Sequence, residues 1–224
     1  MDTPETTPKP PPPQPEQPRT PRIAVLGGSF DPVHTGHLLV AGAILRQGLA
    51  DEILFVPAKR PPHKLDRILT PAKHRLAMLQ AAIEEFPQFG MSDIELQRED
   101  GPSYTIDTLE TLKRIYNDSD LAFVMGMDSL AEIHTWYRAT ELVNRYDFLV
   151  YPRPGFEPPT RLHLNDQFGA HNAAKLLNSI VRTPGIQVSS TDIRRAASVE
   201  RCLAGLVPAA VARYIEDNRL YRIS

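Results

Sequence analysis

The sequence is short of cysteine, of excess charge and of long apolar stretches. Its single cysteine, Cys202, excludes an intrachain disulfide and a metal cluster built from cysteines. The 25 basic and 27 acidic residues leave a formal net charge of -2, so no basic excess predicts nucleic-acid binding. No run of about 18 apolar residues predicts a membrane span, and the N-terminal residues lack the apolar stretch of a signal peptide. We therefore expect a cytoplasmic protein that binds neither nucleic acid nor a membrane.

Proline, in contrast, is abundant and concentrated near the N-terminus, in a stretch that contains almost nothing apolar. Because proline removes backbone donors and fixes φ, we predict a disordered tail over residues 1–20. Of the whole chain, 42% is hydrophobic and 23% is charged, an ordinary composition for a folded protein. The sequence therefore predicts a proline-rich tail followed by a single domain over residues 21–224.

Short apolar runs alternate with helical patterns along that domain. The predicted strands cover residues 22–27, 52–56, 91–96, 121–125, 148–151 and 187–189, and the predicted helices cover 38–47, 72–85, 105–116 and 208–218, with a further helix from about residue 191. Residues 152–175 are rich in Pro, Gly, Asn and His and are predicted to form an exposed loop or insertion. The alternation predicts an α/β fold with a doubly wound, mostly parallel sheet and helices on both faces.

The turn after the first predicted strand carries the strongest chemical signal. It reads GGSFDPVHTGH from Gly27 to His37. Two glycines allow a sharp bend, and a helix that begins near Thr35 would direct its free N–H groups and positive dipole end at the turn. Such a helix start binds phosphate, and His34 and His37 would share one face of it.

Alternative roles for this turn account for fewer of its residues. The turn matches neither the G-x-G-x-x-G fingerprint nor the G-x-x-x-x-G-K-[ST] loop. A zinc site at His34 and His37 lacks convincing carboxylate or cysteine partners nearby. A purely structural turn explains Gly27 and Gly28 but not the two histidines, so the residues favour phosphate chemistry and leave the structural turn as the alternative.

The same turn resembles the signature of the HxGH nucleotidyltransferase superfamily through His34, Gly36 and His37. The resemblance implies a Rossmann-like fold with the nucleotide outside the carboxyl ends of the first and fourth strands, where the strand order reverses. It also implies that His34 and His37 are catalytic. The ATP-binding residues implied are Gly27, Gly28, Ser29, Phe30, Gly36, Gly126, Asp128, Ser190 and Arg194.

Four further segments resemble the bacterial nicotinate-nucleotide adenylyltransferase family: PPHK at 61–64, SYTIDTL at 103–109, GMDSL at 126–130 with a following Trp-Tyr pair, and SSTDIR at 189–194. The resemblance spans about residues 22–224. It implies transfer of the adenylyl group of ATP to nicotinate mononucleotide in NAD biosynthesis, with Mg²⁺ bound mainly through the ATP phosphates and no protein metal ligand. The implied acceptor site consists of His63, Lys64, Thr105, Trp136 and Tyr137.

Each of these residues could also have a purely structural role. Trp136 would pack in the core, Thr105 would cap a helix, and Arg194 would be a solvated surface residue, while residues 63–64 would belong to an exposed loop. Two other functions stay open: an HxGH enzyme that uses nicotinamide mononucleotide or pantetheine phosphate, and a nucleotide sensor without turnover. The sequence does not predict the oligomeric state.

Overall fold

The computed structural model of the chain describes residues 19–61, 68–98 and 101–222. In these ranges five strands form one parallel sheet in the order β3-β2-β1-β4-β5. The strands are β1 (Arg22–Gly28), β2 (Glu52–Pro57), β3 (Phe89–Met91), β4 (Asp120–Gly126) and β5 (Asp147–Tyr151). The predicted parallel sheet is confirmed, and its strand order reverses between β1 and β4.

Eight α-helices cover the two faces of the sheet within the described ranges. They are α1 (Thr35–Arg46), α2 (Ala72–Ile83), α3 (Thr105–Ile115), α4 (Met127–Ala131), α5 (Ala139–Arg145), α6 (Arg161–Asn178), α7 (Ser190–Ser198) and α8 (Ala209–Asp217), with a 3₁₀ turn at Ile133–Thr135. Helices α1, α2, α7 and α8 bury their apolar residues in one core cluster, and α3 to α6 in the other. The predicted doubly wound arrangement is therefore confirmed.

Alternate residues of β1, β2, β4 and β5 contribute to the two core clusters. In β1, Ala24 and Leu26 belong to the cluster with α1, whereas Ile23 and Val25 belong to the cluster with α3. A parallel sheet that is covered on both faces needs apolar side chains on each face. Successive residues of a strand point to opposite faces, so all of them are apolar, which explains the unbroken apolar runs of the sequence.

Two predicted strands are wrong or misplaced. The apolar pattern over residues 91–96 predicts a strand, but β3 ends at Met91 and residues 94–97 form a turn. Glu95 of this turn is buried and accepts a hydrogen bond of 2.7 Å from the Thr108 hydroxyl. The apolar pattern over residues 91–96 therefore reflects packing of the turn on α3. The predicted strand at residues 187–189 has no partner strand among the described residues.

The prediction of a loop over residues 152–175 is also wrong, because most of this segment belongs to α6. The helix is interrupted at Gly169, which has a φ of 79°. Its Leu164, Phe168 and Leu176 side chains are buried in the core, and this packing outweighs the weak helix propensity of the segment. Shorter errors concern the helix ends: the helical pattern over residues 38–47 omits the first turn of α1, which begins at residue 35 as the motif suggests, and α2 ends at 83 rather than 85.

The predicted tail over residues 1–20 falls mostly outside the described residues, which begin at Arg19. The division into a tail and a single domain therefore stays a prediction. In the parts of the chain that the structure describes, no helix has both the length and the apolar character needed to cross a membrane.

Candidate active site

The two histidines of the first turn line a small cleft at the carboxyl end of β1. His34 and His37 border a cavity of about 30 Å³ together with Gly36, Arg153 and Ile186. The cleft lies where the strand order reverses, the usual ligand position in doubly wound sheets. The cavity is smaller than the about 300–1,000 Å³ of pockets that enclose small-molecule ligands, so it can hold only part of a nucleotide.

The start of α1 fixes the relative position of the histidine rings. His34 is the N-cap residue of α1 and His37 lies in its first turn, with the ring centroids 3.6 Å apart. The backbone N–H of His34 donates to Nδ1 of His37 at 3.2 Å. Since this nitrogen accepts, the proton of the neutral His37 ring is on Nε2. His37 can therefore donate a hydrogen bond from Nε2 to a phosphate oxygen.

His34 is deeply buried beside this donor. Its side chain is 6% exposed, and Nδ1 has no hydrogen-bond partner among the described residues. Burial, together with the nearby positive charge of Arg153, lowers the pKa of His34 to about 4. The imidazole is therefore neutral at neutral pH and can act only as a hydrogen-bonding group there.

The lowered pKa predicts that the protein loses stability in acid through His34. The unfolded chain takes up a proton at this position below its ordinary pKa of 6.5, whereas the folded protein resists protonation down to about pH 4. Lowering the pH from about 7.5 to about 5 should therefore cost about 2 kcal/mol of unfolding free energy at this residue. Urea unfolding of wild-type and His34→Gln protein at both pH values measures this change in unfolding free energy.

The His34→Gln variant should lose less stability over that pH range than the wild type. His171→Gln, a substitution of an exposed histidine on α6, is the matched control for the loss of a histidine. Equal pH-dependent losses in wild-type and His34→Gln protein would contradict the assignment of the low pKa to His34.

Two of the predicted ATP-binding glycines are required by close contacts. A Cβ atom at Gly36 would lie 2.6 Å from Cγ2 of Ile186 and 3.0 Å from Nδ1 of His34. A Cβ atom at Gly126 would lie 2.4 Å from Oδ1 of Asp128. Any larger residue at either position would displace a side chain of the cleft, so both glycines allow close approach.

The loop between β1 and α1, residues 29–34, is held by donors from distant elements. We call these residues the phosphate loop. Arg75 of α2 donates to the Ser29 carbonyl at 2.7 Å. The predicted ATP-binding residues Ser190 and Arg194 of α7 donate to the carbonyls of Pro32 and Asp31 at 2.9 and 2.7 Å. These contacts hold the start of α7 against the loop. Phe30, with a φ of 44°, packs its ring 5.0 Å from His37.

Arg153 is a residue of the cleft that the sequence prediction missed. It lines the cavity with both histidines, and its Nη1 lies 2.5 Å from Oδ2 of Asp128. Asp128 is thus joined to the histidines through Arg153. Its position in the chain could have indicated it, because Arg153 follows the carboxyl end of β5, the neighbour of β4. Ligand-binding residues of doubly wound sheets lie at the carboxyl ends of the strands. The composition of the segment that contains it predicts only an exposed loop.

The structure brings Thr105 close to the Trp136-Tyr137 pair. The ring of Tyr104, the N-cap residue of α3, stacks on the ring of Tyr137 with centroids 4.3 Å apart. Thr105 is the first residue of α3, and neither its N–H nor that of Tyr137 has an acceptor among the described residues. Two backbone donors on adjacent segments are therefore available to a ligand.

Trp136 connects this second group of residues to the carboxyl end of β1. It is half-buried and packs against Phe123 of β4 at a centroid distance of 6.0 Å. The Phe123 ring in turn lies against Gly27, where a Cβ atom would be 3.3 Å away. Trp136 thus contributes to the core, as a structural role requires, and the residue is only partly buried. His63 and Lys64 lie outside the described residues, so their role stays a prediction.

A larger cavity of about 600 Å³ lies at the opposite end of the sheet. Two of its basic side chains are engaged with the protein: Arg22 pairs with Asp147 at 2.9 Å, and Lys175 donates to two main-chain carbonyls. We therefore assign the ligand site to the smaller cleft at the carboxyl ends. The described residues contain no group of three His, Cys, Asp or Glu that could hold a metal.

The parallel sheet and the paired histidines at its switch point are those expected of a nucleotidyltransferase, and the Cytidylyltransferase-like family model matches residues 25–196. The chain is 42% identical over 200 residues to a probable nicotinate-nucleotide adenylyltransferase of Symbiobacterium thermophilum, covering 89% of this chain and 95% of that protein. It is 39% identical to the nicotinate-nucleotide adenylyltransferase of Bacillus subtilis, covering 89% and 98%. The chain belongs to the nicotinate-nucleotide adenylyltransferase family.

Solved structures with the same fold agree with this assignment. The nicotinic acid mononucleotide adenylyltransferase of Plasmodium falciparum, complexed with NaAD, superimposes with a TM-score of 0.71 at 22% identity. The alignment covers 90% of this chain and 97% of that one. At this identity the likeness concerns the fold, which is the one predicted from the sequence.

Proposed function

We propose that this chain transfers the adenylyl group of ATP to nicotinate mononucleotide, giving nicotinate adenine dinucleotide and pyrophosphate in NAD biosynthesis. The observation that carries the proposal is the stacked pair of His34 and His37 at the start of α1, beside the switch point of the sheet. Family membership supports the choice of reaction. The cytoplasmic location expected from the sequence stays a prediction.

The reaction needs no nucleophilic side chain, because both reacting groups are phosphates. An oxygen of the 5′-phosphate of the acceptor attacks the α-phosphorus of ATP. The bond from this phosphorus to the oxygen bridging to the β-phosphorus breaks, and pyrophosphate leaves on the opposite side. Catalysis then consists of positioning the two phosphates and stabilising the charge that develops between them.

His37 would stabilise that charge through its Nε2–H donor. His34 would contribute a neutral imidazole, and Arg153 would supply a positive charge in the wall of the same cavity. Arg194 would bind the β- and γ-phosphates from α7, whose Ser189 N-cap accepts from the Asp192 N–H at 3.1 Å. The ordered start of α7 adds its dipole to this side of the cleft.

The acceptor would bind where α3 begins. The free N–H groups of Thr105 and Tyr137 suit the two oxygens of the nicotinate carboxylate, and the exposed part of Trp136 suits its flat ring. His63 and Lys64 would close over the phosphates of the bound substrates.

Mg²⁺ would enter as part of the ATP substrate. The ion prefers oxygen ligands and keeps several waters, which suits coordination by the triphosphate. The described residues offer no acidic cluster for it, and Asp128, the carboxylate of the cleft, is paired with Arg153. When bound, Mg²⁺ would neutralise charge on the leaving pyrophosphate.

Pyrophosphate release with MgATP and each candidate acceptor tests the proposal. We expect rapid release with nicotinate mononucleotide, slower release with nicotinamide mononucleotide and none with pantetheine phosphate. Faster release with pantetheine phosphate would overturn the assignment of nicotinate mononucleotide as the acceptor. ATP binding without release on any acceptor would indicate a sensor rather than an enzyme.

A further inference from the structure

The segment that follows α8 returns to the phosphate loop. The hydroxyl of Tyr221 donates to Oδ1 of Asp31 at 2.9 Å, a contact between residues 190 positions apart. Asp31 is 1% exposed and lies three residues before His34. A buried carboxylate is costly unless hydrogen bonds satisfy it, so this contact constrains both partners.

The backbone of Tyr221 is held in a conformation that a residue with a Cβ rarely adopts. Its φ is 66°, and Arg219, two residues earlier, has a φ of 49°. Such left-handed residues persist where surrounding contacts fix them. The hydroxyl is also kept in its donor form, because burial and the charge of Asp31 raise the pKa of Tyr221.

The hydroxyl of Tyr221 adds a side-chain contact to the main-chain contacts that hold the phosphate loop. Arg75, Ser190 and Arg194 each donate to a main-chain carbonyl of the loop, whereas Tyr221 holds the side chain of Asp31. Main-chain contacts restrain the path of the loop, and a side-chain contact restrains rotation of the residue that carries it. Asp31 lies in the segment that leads into the N-cap of α1, so a fixed Asp31 side chain supports the backbone that carries His34 and His37.

We propose that Tyr221 is a positioning residue for adenylyl transfer, which fixes Asp31 so that His34 and His37 face the α-phosphate. The inference rests on the proposed function for its catalytic consequence. A displacement of about 1 Å in a catalytic group costs about 100-fold in rate, so partial loosening of the loop should lower kcat measurably. ATP affinity should change less, because the histidines act mainly on charge that develops during transfer.

The test compares Tyr221→Phe with Tyr214→Phe. The Tyr214 hydroxyl lies 3.0 Å from Nδ1 of His74, so this control removes a hydroxyl from the α8–α2 contact without touching the phosphate loop. We expect kcat to fall about tenfold or more in Tyr221→Phe, with ATP affinity within about threefold of wild type. Tyr214→Phe should keep the wild-type kcat. A kcat of Tyr221→Phe within about twofold of wild type would overturn the proposal.

A double-mutant cycle with Asp31→Asn covers the case in which Tyr221→Phe is also unstable. If Tyr221 acts through Asp31, the double variant should be hardly slower than Asp31→Asn alone; additive losses would overturn the proposal. Hydrogen exchange of the backbone amides of residues 29–31, 33 and 34 gives a readout independent of turnover. These amides should exchange faster in Tyr221→Phe even if the wild type proved inactive, and unchanged exchange would reject the positioning role by itself.

Discussion

Replacement of His37 by alanine should lower kcat by about 100-fold to 1,000-fold, the usual cost of removing a donor that stabilises transition-state charge. The Nε2–H of His37 would meet charge that appears mainly during transfer, so ATP binding should weaken much less. The measurement is steady-state pyrophosphate release together with ATP affinity, on protein whose melting temperature shows that it is folded.

Two further substitutions separate the catalytic role of Nε2 of His37 from the structural role of its Nδ1, which accepts from the His34 N–H. His37→Asn retains an acceptor near Nδ1 for the His34 N–H but loses the Nε2 donor, so it should be folded and nearly as slow as His37→Ala. His37→Gln places an amide donor near Nε2 and should recover part of the rate. Near-wild-type turnover in folded His37→Ala protein would remove His37 from the mechanism.

Nicotinate mononucleotide should be preferred over nicotinamide mononucleotide by on the order of tenfold to a few hundredfold in kcat/KM. In the proposed site the carboxylate would accept from the N–H groups of Thr105 and Tyr137, which have no acceptor among the described residues. The amide would turn its NH₂ group toward one of them and leave that donor unpaired, at about 1–3 kcal/mol, with a charged acceptor also lost. A difference of about 1.4 kcal/mol corresponds to a factor of ten.

Trp136→Ala should lower kcat/KM for both mononucleotides by about tenfold and keep most of the acid preference. A stacked ring hardly distinguishes a carboxylate from an amide, because both substituents lie on the same flat heterocycle. Trp136→Phe retains a flat ring over Phe123 and should recover much of the loss. Equal wild-type kcat/KM values for acid and amide would refute a nicotinate-selective pocket. Loss of the acid preference in Trp136→Ala would show that the ring of Trp136, rather than the N–H donors, determines the selectivity.

The sheet and the first turn could be predicted because their signals are local. An apolar strand, a glycine turn and a helix start lie within residues 22–46, so the phosphate loop and both histidines follow from one short segment. Strand β3 has three residues, too few to show a period, and the apolar alternation beyond it belongs to a turn that packs on α3. Helix α6 could not be recognised because core packing rather than propensity stabilises it.

The contacts around the phosphate loop could not be predicted because they join distant parts of the chain. Arg75, Arg153 and Tyr221 reach the site from α2, from the end of β5 and from beyond α8. Nothing in the neighbouring residues of Tyr221 indicates that its hydroxyl meets Asp31. A lone arginine or tyrosine in a sequence is most often a surface or packing residue, so only the assembled fold identifies these three.

Trp136 is the one tryptophan of the chain, and it lies half-buried beside the proposed pyridine position. The indole fluorescence of the protein therefore originates at a single place, and a heterocycle stacked on that ring should quench it. Acceptor occupancy then becomes an optical signal that requires no turnover. Titration of the acceptor into slow variants such as His37→Ala would then give its dissociation constant. This separates the affinity of the pyridine pocket from the chemistry at the phosphates.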